Sequence, residues 1–296
     1  MRPILTLACC LTLLSACRSD VQQVSTPVRN ASFQAPDRPS SVPQVFTDIM
    51  AFARAQKLQD RPLGEVMQTV GEQLKGTPYV AGTLDLPGQE KLVCRMDGFD
   101  CVTFYETALA MARGIEAQDY SFDTFKRNLL DGRYRDGKLD GYCSRLHYFS
   151  DWVADNQARG NVENVTADLG GVPLDKTLDF MTTHRDLYPR FATNDQTYAC
   201  IADMEQDLAG MDLYYIPTAR IRSAYGKLQA GDIVGMATSI NGLDVTHTGL
   251  VYDDGTGGKG FLHASTSGGV KVSPDLQAYA QNNKSTIGII IVRPKL

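Results

Sequence analysis

The sequence predicts an α+β protein, on three observations. Helical periods fill its first half, short β-branched runs fill its last third, and the two are not interleaved. The first helix has Pro62 at its N1 position, and Leu63, Val66, Val70 and Leu74 then recur at helical spacing until Gly76 ends the run. A second begins at Asp100-Cys101, with Asp100 as N-cap and Phe104, Ala108, Met111 and Ala112 on its inner face. The strands are GDIVGMATS (231–239), VTHTGLVYD (245–253), GFLHAS (260–265), VKVS (270–273) and TIGIIIVR (286–293), separated by Gly, Asp and Asn clusters. Residues about 115–225 carry mixed signals without an internal repeat and read as an insertion in one domain spanning 45–296.

The N-terminus reads as an address. Residues 1–16, MRPILTLACCLTLLSA, place one Arg before a short apolar stretch that ends in small residues, the pattern of an export signal. Leu14-Ser15-Ala16-Cys17 resembles the lipobox of bacterial lipoproteins, which implies cleavage before Cys17 and acylation of that residue. A plain secretory signal is the alternative. Arg18 follows in place of the Asp that retains such proteins in the inner membrane, so the resemblance implies the periplasmic face of the outer membrane. Residues 17–44, rich in Ser, Pro, Gln and Val, read as a tether. With 43% apolar and 21% charged residues the chain is not disordered, and a net charge of -5 provides no field for nucleic acid. Contact with a membrane is expected through the lipid alone, and the protein is expected to be a monomer.

Chemistry converges on Cys101. A helix start presents unpaired N–H groups, which favour an anion and predict a thiol of lowered pKa. Residues 253–258, DDGTGG, signal a hairpin turn, and folding about residue 255 sets His247 opposite His263 within one residue of register. One imidazole can then act as base to the sulfur while the other orients it. The turn Gly76-Thr77-Pro78-Tyr79 can bring a Tyr hydroxyl beside the helix start. From these residues alone three readings stay open: a Cys–His nucleophile, a metal site, or a structural Cys101 bridged to Cys94.

Five motifs stand in order: Gly-Thr-Pro-Tyr-Val-Ala-Gly (76–82), Phe-Asp-Cys-Val-Thr-Phe (99–104), Leu-Gln-Ala-Gly-Asp-Ile-Val (228–234), His-Thr-Gly-Leu-Val-Tyr (247–252) and Phe-Leu-His-Ala-Ser (261–265). Together they resemble the NlpC-type cell-wall cysteine peptidases of the papain-like superfamily. The resemblance implies a fold in which the nucleophile's helix packs on a C-terminal antiparallel sheet or half-barrel. It also implies Cys101 as nucleophile, His247 as general base and His263 as the residue that orients it. Tyr79 and Asp100 are expected to meet substrate, with no metal and no cofactor. Peptide-cutting members read Asp-Cys-Ser, and their Asp–Ser pair helps seat the free amine of L-Ala. Here Val102 replaces that Ser and Thr83 replaces a second Gly. Together with the added segment YCSRLHYFSDW (142–152), these departures resemble the N-acetylmuramoyl-L-alanine amidase-like branch, whose members cleave between the lactyl group of muramic acid and L-Ala, some of them on 1,6-anhydro fragments. Peptidoglycan or muropeptides are the implied substrate. The competing readings are a D-Glu–diaminopimelate endopeptidase on the same fold, a catalytically silent murein-binding lipoprotein, and a zinc amidase, which would lack any HExxH.

Segment 142–152 carries two readings. Leu146, Phe149 and Val153 form an apolar helix stripe, which leaves Arg145, His147 and Asp151 on a solvated face. Alternatively, Arg145 and His147 line a sugar subsite. His184 is assigned nothing. Cys94, Cys143 and Cys200 allow one bridge in three pairings, and spacing does not choose among them.

Overall fold

The computed structural model describes residues 44–295, so the expected acylation of Cys17, the expected export signal and all of the expected tether but Gln44, which opens the first helix, fall outside the described residues. Helix α1 (Gln44–Ala55) turns Phe46, Ile49, Met50 and Ala53 inward on one face. Pro62 caps α2 (Leu63–Gln73), which buries Leu63, Val66, Met67 and Val70. Helix α3 (Cys101–Glu116) is buried on nearly every side, with Phe104, Ala108, Leu109, Met111 and Ile115 among its buried apolar residues. It packs between α2 and α4 (Phe122–Arg133), and there Glu106 meets Arg133 at 2.7 Å with both side chains buried. Helix α5 (Phe149–Ala158) follows. Short helices α6 (Phe180–Thr183) and α8 (Ile221–Ala224) flank the longer α7 (Asp195–Asp207), and α9 (Leu276–Gln281) comes late.

The strands are β1 (Val162–Asn164), β2 (Val172–Pro173), β3 (Tyr214–Pro217), β4 (Ile233–Thr238), β5 (Val245–Tyr252), β6 (Gly260–Ser265), β7 (Gly269–Ser273) and β8 (Thr286–Pro294). They form one antiparallel sheet in the order β2-β3-β8-β4-β5-β6-β7, with β1 also on β8. The architecture is therefore α+β. It is more than a terminal meander, because β8 crosses back to β4 and the segment 115–225 contributes β1, β2 and β3. Those strands are two to four residues long, too short for a period to register in sequence.

Alternation along the strands builds two cores. Ile233, Leu250, Leu262, Ile290 and Val292 pack with α1 to α5, while Val234, Met236, Val251, Phe261, Ile289 and Ile291 pack with α8 and α9. A third cluster, including Tyr142, Tyr148, Met181, Phe191 and Ile201, lies within the inserted segment. A disulfide from Cys143 to Cys200 ties it together across 57 residues, which selects one of the three pairings left open above.

Candidate active site

The start of α3 is built by a capping box. Asp100, extended at φ -89° and ψ 179°, accepts the Thr103 N–H at 2.8 Å, and the Thr103 hydroxyl accepts the Asp100 N–H at 3.1 Å. The second carboxylate oxygen accepts the buried Thr83 hydroxyl at 3.0 Å. Phe99 N–H donates to Pro78 carbonyl at 3.0 Å and Val80 N–H to Phe99 carbonyl at 2.9 Å, which holds Tyr79 against the helix start. Burial, reinforced by the nearby Cys101 and Asp100, pushes the Tyr79 hydroxyl up to about 12, so it is a hydrogen-bond donor at neutral pH. Val270 N–H donates to Thr77 carbonyl at 2.9 Å, joining this turn to β7. The backbones meet so closely that a Cβ on Gly269 would lie 2.1 Å from that carbonyl oxygen, and its φ of 72° also favours glycine.

Cys101 is a free thiol, as is Cys94, so the bridge between them does not form. Its acidity departs from the expectation: burial pushes the thiol up, and the adjacent Asp100 carboxylate adds to this, while Thr248 and the helix-start N–H pull it down. The macrodipole acts here on a group that has lost its water, and desolvation wins.

The two hairpin imidazoles touch. His247 Nε2 lies 2.8 Å from His263 Nδ1, and His263 Nε2 lies 3.1 Å from the Ser273 hydroxyl. The register differs from folding about residue 255. Leu250 pairs with Leu262 and Val251 with Phe261, so the imidazoles are diagonal neighbours on one face rather than opposite. Continuing that register sets Gly249 beside His263, where a Cβ would come within 2.8 Å of the His263 Cβ. Phe261 stacks on the fully buried His263 at 4.6 Å, and Tyr279 of α9 packs on it at 4.7 Å. Burial lowers His247 to about 4; burial with neighbouring His247 and Lys271 lowers His263 to about 3. Both rings are neutral at pH 7. One proton arrangement has His247 Nε2–H donating to His263 Nδ1 and His263 Nε2–H donating to Ser273, leaving His247 Nδ1 as an open acceptor.

Cys101 and His247 line one cavity of about 140 Å³, with Tyr105, Phe149, Trp152, Thr246 and Thr248 among its other walls. A second cavity of about 250 Å³ shares Val102, Leu146, His147, Tyr148 and Leu243 with it and extends past Asp100 to Arg145, Tyr142 and Tyr188. Segment 142–152 therefore borders the groove. The predicted solvated face is not there, because the helix starts only at Phe149, and Arg145 and Asp151 are 5% and 2% exposed. Arg145 bonds Asp85 at 2.9 Å, stands 3.5 Å from Glu90 and lies over the Tyr142 ring. His147 Nε2–H donates to the Tyr142 carbonyl at 2.9 Å, and burial with Arg145 lowers the imidazole to about 3. Among the described residues no His, Cys, Asp and Glu side chains are grouped as metal ligands.

Sequence reading missed four contributors. Ser273 was accessible in principle, since the β6–β7 register sets it opposite Phe261, two residues from His263. Tyr279 sits in a six-residue helix with no readable period, and Thr83 and Trp152 meet the site only through tertiary packing.

A family model described as AmiA-like, N-acetylmuramoyl-L-alanine amidase-like, matches residues 69–289. An N-acetylmuramoyl-L-alanine amidase from Bacteroides uniformis is 33% identical, with a TM-score of 0.75, covering 79% of this chain and 99% of its own. A Bacteroides fragilis protein named as a candidate xylanase is 37% identical, with a TM-score of 0.71 over 75% of this chain and 98% of its own. A Legionella pneumophila protein at 21% identity, with a TM-score of 0.62 over 86% and 95% of the two chains, shares the fold. No curated protein matches the sequence.

Proposed function

Because the chain belongs to the N-acetylmuramoyl-L-alanine amidase-like family, we propose that it cleaves the amide between the lactyl group of N-acetylmuramic acid and L-Ala by cysteine chemistry. The reading includes an NlpC-type, papain-like ancestry for the fold, with peptidoglycan or muropeptides, the 1,6-anhydro form among them, as the substrate class. Cys101 attacks the lactyl carbonyl as its proton passes to His247 Nδ1. The oxyanion accepts hydrogen bonds from the Cys101 N–H and the Tyr79 hydroxyl, each worth about 3–4 kcal/mol. The C–N bond breaks as the imidazolium returns the proton to the amine of L-Ala. Water then adds to the thioester with His247 as base, releasing the lactyl acid and the thiol. His263, held by Ser273, keeps His247 in the tautomer that can accept.

The choice of bond is carried by the Thr83 hydroxyl on Asp100 at 3.0 Å. In the peptide-cutting enzymes that the motif resembles, this carboxylate helps hold a free amine. Here Thr83 and Thr103 occupy both of its oxygens and Val102 stands in place of the Ser. The L-Ala of uncut murein is acylated and presents no ammonium to hold. Arg145 and His147 border the groove on the Asp100 side, where the sugar would lie.

Cys101→Ala is expected to abolish turnover while leaving the fold intact, with EDTA harmless to the native enzyme. Mass analysis of digested muropeptides should show intact stem peptide and free muramic acid sugar; a released dipeptide end would mean endopeptidase and refute the assignment. We also propose Cys17 as the acylated residue, anchoring the domain at the periplasmic face of the outer membrane. Loss of radiolabelled palmitate incorporation in Cys17→Ala tests that.

A further inference from the structure

The cavity beside Cys101 contains a mismatch. Trp152, 1% exposed, is one of its walls, and its indole N–H is buried with no acceptor. Thr246, another wall, has a buried hydroxyl with no partner. The Thr248 hydroxyl, on the same cavity, is likewise buried without a partner. Buried donors left unpaired cost about 1–3 kcal/mol each, so three on one cavity call for a ligand or water. The other walls are mixed: Val102, Leu146, Tyr105 and Phe149 form an apolar and aromatic side, where Tyr105 sets its ring at right angles to Phe149 and Trp152, while Cys101, His147, Asp244, His247 and Thr248 supply polar groups. The volume, about 140 Å³, is near the roughly 150 Å³ that accommodates benzene in an apolar protein cavity.

We propose that this cavity is a subsite for a small secondary amide bearing a methyl group, and that it receives the 2-acetamido group of the muramic acid. The carbonyl accepts the Trp152 N–H, the amide N–H donates to the Thr246 hydroxyl, and the methyl meets the Tyr105 and Phe149 rings. Indole is a donor only, so its partner must be an acceptor, whereas a hydroxyl accommodates the amide N–H. The lactyl methyl offers neither group, and a free amine at C2 would put a charge against the indole N–H. This inference rests on the amidase reading and adds a specificity to it.

The test compares N-acetylmuramoyl-L-Ala peptides with N-deacetylated counterparts on native enzyme, Thr246→Val and Trp152→Phe, with melting curves to verify folding. Native enzyme should prefer the acetylated substrate in kcat/KM by about 10- to 100-fold. Thr246→Val and Trp152→Phe should each shrink that ratio several-fold, through loss on the acetylated substrate. Equal rates on both native substrates, or an unchanged ratio in folded variants, would mean a water-filled cavity and overturn the subsite alone. Hydrolysis of neither substrate would instead overturn the amidase reading.

Discussion

A neutral thiol beside a neutral imidazole makes a quantitative claim about pH. His247 is lowered to about 4 by burial, and Cys101 is raised by the same cause. The base works only when unprotonated, so a lowered pKa moves the acid limb of the rate profile down. At pH 5.5 an ordinary histidine of pKa 6.5 is about 90% protonated, whereas one at about 4 is only about 3% protonated. The free enzyme should therefore keep nearly all of its kcat/KM at pH 5.5, where an ordinary imidazole would leave about a tenth. The assay is hydrolysis of a muramoyl-L-Ala peptide at subsaturating substrate from pH 3.5 to 9. In parallel, iodoacetamide labelling of Cys101 should be slow at neutral pH and climb through the alkaline range. An acid limb near 6.5 would mean an ordinary imidazole, and a labelling plateau extending well below pH 7 would mean a preformed thiolate–imidazolium pair; either would refute the reasoning.

Thr83→Ala removes a donor from Asp100, and a lower inhibition constant for stem peptides with a free amine is expected in competition kinetics. Reducing the Cys143–Cys200 bridge should lower stability by about 4 kcal/mol from the 57-residue loop it closes, read as a shift in urea midpoint with and without reductant. Glu106→Gln leaves the buried Arg133 guanidinium unbalanced and should cost about 3–5 kcal/mol in the same measurement. Arg145→Ala should both raise KM and lower the melting temperature, because that guanidinium borders the groove and also balances Glu90. A loss of stability with unchanged KM would confine it to structure.

The parts of the site legible in the sequence are those set by local rules. Asp100 as a cap depends on a four-residue box, and the touching imidazoles depend on a turn signal and strand alternation. The error in register, two residues, came from choosing the centre of DDGTGG, where several turn residues compete. The thiol's pKa was misjudged because a sequence records the helix start and not the depth at which it is buried. Of the two readings of segment 142–152, the helical stripe fails for a similar reason: the β-bridge between Tyr134 and Arg145 and the disulfide at Cys143 hold its first half out of a helix, while Arg145 and His147 do line the groove. Tyr279 and Trp152 come from elements distant in the chain, and only tertiary packing brings them to the sulfur.

The strand β8 lies at the middle of the sheet, where it holds β1, β3 and β4 together. Those three have no shared neighbour until residues 286–294 arrive, after every other strand has been synthesised. Long-range closure of this kind is slow and happens late. The sheet therefore closes last at β8, and a chain stopped short of residue 286 would leave β1, β3 and β4 without the strand that joins them.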